Sequence, residues 1–398
     1  MISVGFAPNE TVSDALVSLK VLFSPWTWHN TKTLLVLKNT LNKKFGFAPN
    51  DTFFYLTGRS ALLNLFKSLE FDSNHCVAVQ AFTCEAVVLP LLSLNIKPIY
   101  IDIERDSYSM DILDLKKKFN PNIKAIILQH TFAITPKYRT EIISFAREKR
   151  ILVIEDLAHG FDISLTQDSS FRQSIKLLSF GRSKSFSSVF GGAIVASNQV
   201  LKEELLKNQR DLTHPNITFI IRLLLYKPFA VLVKSTYSIY LGKVLNKLLL
   251  GNVIPKEISS DEKNGLFDNK FNHLYPPALA VLLIHQLKMH EKLSKIRMEN
   301  TKLYSKLFAL QYKTALLRFP FVTKNKNKII SIAKKNNIFL GNWYEQAVAP
   351  NELMLSKVLY KKGSCKVAEE TSEKILNLPT SVNQKQAEFI SKLILNTI

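Results

Sequence analysis

The sequence from Lys176 to Ala196 reads KLLSFGRSKSFSSVFGGAIVA, and its interpretation decides the fold. Leu177, Leu178 and Phe180 make an apolar, β-prone run that leads into a polar loop carrying Lys184. Gly191 and Gly192 then open a second apolar run, Ala193-Ile194-Val195-Ala196. This is strand, loop, strand, with one lysine presented between two buried strands. Most loop lysines only solvate a surface, so the loop alone assigns Lys184 no role.

Two stretches further upstream change that. Ile151-Leu152-Val153-Ile154-Glu155-Asp156 is a strand ending in acid, and Thr57-Gly58-Arg59-Ser60-Ala61-Leu62 opens a helix. A glycine-started helix, a strand-end aspartate and a loop lysine, in that order, suit a pyridoxal phosphate site. A helix N-terminus takes a phosphate, a carboxylate keeps the pyridine nitrogen protonated, and a lysine condenses with the aldehyde. Between and around these stretches, strand and helix patterns alternate. Strands are expected at Cys76 to Gln80, Lys97 to Ile103, Lys124 to Gln129, Ile151 to Glu155 and Leu177 to Phe180. Helices are expected at Glu85 to Leu94, Asp111 to Phe119 and Glu141 to Arg150. The alternation argues a mostly parallel sheet wrapped by helices, with ligands outside the strands' carboxyl ends, where Asp156 falls.

The order and local wording resemble the DegT/StrS family of sugar aminotransferases, which are fold type I pyridoxal phosphate enzymes. The matching blocks run from about Thr57 to Ala196 and resume from Asn272 to Pro379. The resemblance implies an α/β large domain with a mostly parallel mixed sheet flanked by helices, a smaller C-terminal α/β domain, bound pyridoxal 5'-phosphate and a homodimer. Lys184, in Ser179-Phe180-Gly181-Arg182-Ser183-Lys184, matches the lysine that bonds the cofactor. Asp156 matches the partner of the pyridine nitrogen, and Glu155 before it does not. His159 stands where the family usually carries glutamine, and is expected to stack on the ring or bond its phenolic oxygen. Gly58, Arg59 and Ser60 are expected to cup the phosphate, with the Arg59 guanidinium able to clamp it, and Ser179 matches a serine on the same phosphate. Cys84 stands where an aromatic residue commonly stacks on the cofactor. Asn272 matches an asparagine that reaches across a dimer to the partner's phosphate. Leu274 departs from an arginine that usually contacts substrate. Gln286-Leu287 and Ala368-Glu369 with Leu378-Pro379-Thr380 repeat blocks of the family's small domain.

With 398 residues the chain has room for two or three domains, and its 46% hydrophobic content excludes wholesale disorder. Cys76, Cys84 and Cys365 have no CxxC spacing and cannot all pair, which fits a reducing compartment and predicts no metal site. No signal-peptide pattern opens the sequence. Lys+Arg number 53 against 32 Asp+Glu, a net charge of +21. That field attracts nucleic acid, an anionic membrane or a phosphorylated substrate, unless the lysines merely solvate the surface. No zinc-finger, RNP-like or basic-zipper pattern supports a nucleic-acid partner.

Four regions are expected. Residues 1–50 form a helical segment packing on the large domain, with an amphipathic helix from Thr11 to Phe23, Trp26 and Trp28 after it, and a second helix from Thr31 to Phe45. Residues 51–214 form the cofactor-binding domain and 256–398 the small domain, which opens on a long helix from Pro277. Residues 215–255 are unusually apolar: Ile217 to Val233 reads ITFIIRLLLYKPFAVLV, and a second apolar stretch runs through Leu250. This is too short to span a bilayer. Helices lying on a membrane surface with Arg222 and Lys227 snorkelling would explain it, as would a buried insertion or a subunit interface. The expected function is transfer of an amino group, from glutamate, to a nucleotide-linked keto-sugar in cell-surface polysaccharide or lipopolysaccharide synthesis, in the cytoplasm and at the inner membrane face. The alternative is a non-catalytic relative at the membrane surface, suggested by the departures at Cys84, His159 and Leu274.

Overall fold

The computed structural model describes residues 1–249 and 252–397. Its centre is a seven-stranded sheet in the order Thr52–Tyr55, Gly192–Val195, Ile175–Ser179, Leu152–Asp156, Ile123–Gln129, Cys76–Gln80, Lys97–Ile101. The last five strands of that order run parallel to one another, while Gly192–Val195 is antiparallel to both of its neighbours. Parallel strands need long crossovers. Helices Glu85–Leu92, Ile112–Lys118 and Arg139–Lys149 supply them. The Lys184 loop is the exception. It links two antiparallel neighbours and so needs no helix.

Side-chain alternation splits this sheet's two faces. Phe53, Leu177 and Ile194 join one core with helix Gly58–Ser68; Phe54, Leu178 and Ala193 join the other with Phe45, Phe180 and the long helix Pro277–Leu307. Helix Val12–Leu22 starts on a capping box between Thr11 and Asp14. It packs against Tyr226–Thr236 and Pro277–Leu307, and helix Lys32–Phe45 packs on the same long helix. The two tryptophans part company. Trp28 is buried and its Nε1–H donates to the Val21 carbonyl at 2.7 Å, whereas Trp26 is 78% exposed.

The apolar segment after residue 215 folds as Ile217–Leu224, Tyr226–Thr236 and Leu241–Leu249. Leu250, the expected end of the second apolar stretch, lies outside the described residues. No helix among the described residues is long and apolar enough to cross a membrane. The expected snorkelling is corrected. Lys227 is fully buried against Glu10 (3.3 Å) and Asp14 (3.7 Å), and Arg222 donates to the carbonyls of Val253 and Asn252. Buried acids and carbonyls inside the protein compensate these cations, so they do not reach for solvent.

Beyond the long helix, Arg318–Val322 pairs antiparallel with Ile375–Pro379 over helices Lys326–Lys335 and Gln384–Leu395. A two-residue strand from this region, Val348–Ala349, pairs in parallel with Thr83–Cys84 in a separate two-stranded sheet. That short pairing draws the preceding Trp343-Tyr344 segment over the carboxyl ends of the central strands.

Candidate active site

Gln129, Asp156 and Ser179 stand at the ends of three adjacent parallel strands, and all three line one cleft of about 1150 Å³, its open mouth included. The start of helix Gly58–Ser68 forms a second wall. Its N-cap Thr57 accepts from the Ser60 N–H, which leaves the N–H groups of Gly58 and Arg59 outside the helix's own ladder. Gly192 allows this helix end to sit directly on the sheet, because a Cβ there would lie 2.4 Å from the Gly58 nitrogen. Ser179 is the side chain next to Gly58, and its Oγ would lie 3.4 Å from a Cβ at that glycine.

Asp156 and Lys184 open on the same cleft. Asp156 is 3% exposed, and its Oδ1 accepts the Ala158 N–H at 2.9 Å. Burial pushes its acid up, against the pull of that N–H and of the charges on Lys184 and His130. A cationic nitrogen opposite it restores the carboxylate form. The adjacent Glu155 faces the other way. Burial pushes it up, but Arg139 at 2.8 Å and His130 at 2.8 Å hold it down at about 2, in a closed structural network. Lys184 is half-buried, with its Nζ 5.7 Å from the centre of the Trp343 ring. Asn9 donates to the Lys184 carbonyl at 2.6 Å, and Arg297 to that of Ser185 at 3.2 Å, so the loop backbone is gripped from the N-terminal segment and the long helix.

Three of the expected cofactor contacts have their polar atoms engaged within the protein. The Arg59 guanidinium pairs with Glu262 and the Glu257 carbonyl and lies over Phe271 at 4.7 Å. The Ser60 hydroxyl, fully buried, bonds Thr57 and the Phe271 carbonyl and does not reach the cleft. Both ring nitrogens of His159 are taken, one by the Phe132 N–H at 3.1 Å and one by the Tyr344 hydroxyl at 3.1 Å, so His159 has none left for a phenolic oxygen. Local cause explains each. A buried acid outcompetes water for Arg59, the N-cap claims Ser60, and a tyrosine from distant sequence satisfies His159. Asn272 also stays off its own chain's cleft, its Oδ1 accepting from Asn64 at 2.8 Å.

Cys84 lines the cleft, but burial first and Glu85 second push its thiol up to about 12, which leaves it a neutral packing group. The cleft also holds residues that sequence reading passed over. Glu85, 3% exposed at the first turn of its helix, is pushed up to about 7 by burial, with Arg59 pulling back. Glu257, Trp343 and Tyr344 arrive from the C-terminal half of the chain.

The donors present fit pyridoxal phosphate: free helix-end N–H groups and Ser179 for a phosphate, a buried acid for a ring nitrogen, and an amine for an aldehyde. The fold is that of the fold type I pyridoxal phosphate enzymes. Residues 56–211 match the DegT/DnrJ/EryC1/StrS aminotransferase family. It is similar to a dTDP-4-amino-4,6-dideoxy-D-glucose transaminase of Shigella dysenteriae, 29% identical over 41% of this chain and 44% of the relative. It is also similar to a GDP-perosamine synthase of Escherichia coli O157:H7, 26% identical over 45% and 50%. Such curated relatives are spanned over about half of their length or less. Among solved structures, Helicobacter pylori PseC, an aminotransferase of pseudoaminic acid biosynthesis, superposes with a TM-score of 0.70 at 18% identity, covering 99% of each chain.

Proposed function

We propose that the protein is a pyridoxal phosphate-dependent aminotransferase that moves an amino group, from glutamate, to a keto-sugar carried on a nucleoside diphosphate. The observation that carries this is Lys184, Asp156 and the Gly58–Ser179 pair on one cleft. The cofactor, when bound, supplies the electron sink and carries the amino group between substrates. The chain's own groups do the rest. Gly58 and Arg59 N–H and the Ser179 hydroxyl hold the phosphate. Asp156 keeps a proton on the ring nitrogen. Lys184 Nζ takes a proton from the donor's α-carbon and returns one to the sugar carbon. A net charge of +21 favours capture of an anionic nucleotide.

The family resemblance supports a homodimer in which Asn272 meets the partner's phosphate. The exposed faces support peripheral contact with an anionic inner membrane. Val12 and Leu16 on one helix, Phe23 and Trp26 after it, and Leu241, Val244 and Leu248 on another are exposed beside Lys20, Lys243 and Lys247. A cytoplasmic enzyme of surface-polysaccharide or lipopolysaccharide synthesis fits both.

The test is incubation of cofactor-loaded protein with glutamate and a panel of dTDP-, UDP- and GDP-linked keto-sugars, with mass spectrometry of 2-oxoglutarate and the amino sugar. A purified chain that takes up no pyridoxal phosphate, or that releases no keto acid from any amino donor, overturns the proposal.

A further inference from the structure

Tyr344 comes into the cleft from the C-terminal half and is 4% exposed. Its hydroxyl lies 3.1 Å from His159 Nε2, while His159 Nδ1 accepts the Phe132 backbone N–H at 3.1 Å. The second contact settles the direction of the first. A backbone N–H only donates, so Nδ1 is the unprotonated nitrogen and Nε2 carries the ring hydrogen. Nε2–H therefore donates to the Tyr344 oxygen, and the tyrosine's own proton has no acceptor among the described residues. Stacking locks this geometry. The His159 ring lies 8° from the Phe132 plane at 5.8 Å and 21° from the Tyr344 plane at 5.9 Å. Burial, with Lys184 and Arg318 adding, holds His159 well below its ordinary range, so the tautomer persists across neutral pH.

The open donor needs an acceptor in the cleft. Put a pyridoxal ring there with its phosphate at Gly58 and Ser179, its nitrogen at Asp156 and its aldehyde at Lys184. One polar ring atom remains, the phenolic oxygen. We infer that the Tyr344 O–H donates to this oxygen, and that His159 acts behind it as a positioning residue that fixes where the proton points. This inference rests on the cofactor assignment above. It gives Tyr344 the contact expected of His159 and explains why a histidine with both nitrogens engaged occupies that position. Asp156, Cys84, Glu85 and Arg318 are the other titratable or charged groups around the tyrosine.

A hydrogen bond to a phenolate oxygen spreads its negative charge and weakens its hold on the neighbouring proton. The pH midpoint of the bound cofactor's visible absorbance reads this directly. Tyr344→Phe is expected to raise that midpoint by about one to two units, the tenfold to hundredfold change that one charge-assisted hydrogen bond carries. His159→Gln, whose amide can still accept from Phe132 and donate to Tyr344, is expected to leave it within a few tenths. His159→Leu shifts it the same way as Tyr344→Phe and decides the matter should Tyr344→Phe fail to fold. Absorbance present but a midpoint unmoved in Tyr344→Phe and His159→Leu sinks this inference alone. Wild-type protein without any cofactor absorbance sinks the reading beneath it.

Discussion

Arg59 and Glu262 form an ion pair beside the cleft in which the carboxylate side chain is fully buried and the guanidinium side chain only 10% exposed. The same acid closes a capping box with Ser259, its Oε2 accepting the Ser259 N–H at 2.8 Å. One carboxylate therefore anchors the segment after residue 252 to the helix end proposed to hold the phosphate. Removing one partner strands a buried charge, and such losses cost about 3–5 kcal/mol. Glu262→Ala is expected to lower stability to chemical denaturation by about that amount. Arg59→Met with Glu262→Leu loses less than the single change, because neither charge is left behind.

Lys184→Ala removes the only lysine amine among the described residues that line the cleft. The variant is expected to keep the fold and lose the visible absorbance of bound cofactor. Transfer falls by at least about 10⁴-fold, the upper range for a positioned acid–base group. Asp156→Asn cannot hold a proton on the ring nitrogen, and is expected to lower kcat by about 10²-fold or more with the substrate KM little changed. Single-turnover release of 2-oxoglutarate checks both.

Glu85 gives a pH signature of its own. Its acid is raised from 4.5 to about 7, chiefly by burial. A raised carboxyl contributes stability that is fully present below its unfolded value and is lost as pH climbs through the folded one. The cofactor-free protein should therefore lose stability between about pH 4.5 and 7, by at most about 3 kcal/mol. Glu85→Gln mimics the neutral acid. It is expected to match the wild type near pH 4.5 and to exceed it increasingly up to pH 7, measured by denaturant unfolding at several pH values.

Helix Leu241–Leu249 offers Leu241, Val244 and Leu248 to the outside, 48%, 43% and 59% exposed. If a bilayer covers them, each contributes about 1 kcal/mol. Leu241→Ser, Val244→Ser and Leu248→Ser together are expected to weaken binding to vesicles rich in anionic lipid by roughly a hundredfold or more, with activity on soluble substrate unchanged. Flotation that does not respond to the triple change refutes the membrane contact through this helix.

Much of the large sheet was legible because its signals are local. Cys76–Gln80, Ile123–Gln129 and Leu152–Asp156 are short apolar runs between helical patterns, and each falls within a residue or two of its expected place. The meeting of Lys184, Asp156 and Gly58 on one cleft was legible for a related reason. A strand end, a loop and a helix start bring chemistry to the same side of a parallel sheet wherever the rest of the chain goes. What escaped was side-chain partnership. Nothing near Arg59 in sequence announces Glu262, and nothing near His159 announces Tyr344. Lys227 read as an interruption in an apolar helix, yet it pairs with Glu10, far away in the chain.

By itself the sequence determined the order of the strands and helices it marked, and the presence of an acid at a strand end and an amine in the loop after a strand, since each depends on neighbours a few positions apart. Tertiary structure alone decided which polar groups face the cleft with a free donor and which are already spent. Those outcomes turn on contacts between residues hundreds of positions apart, formed only when Ala349 pairs with Cys84 and Tyr344 comes to rest against His159.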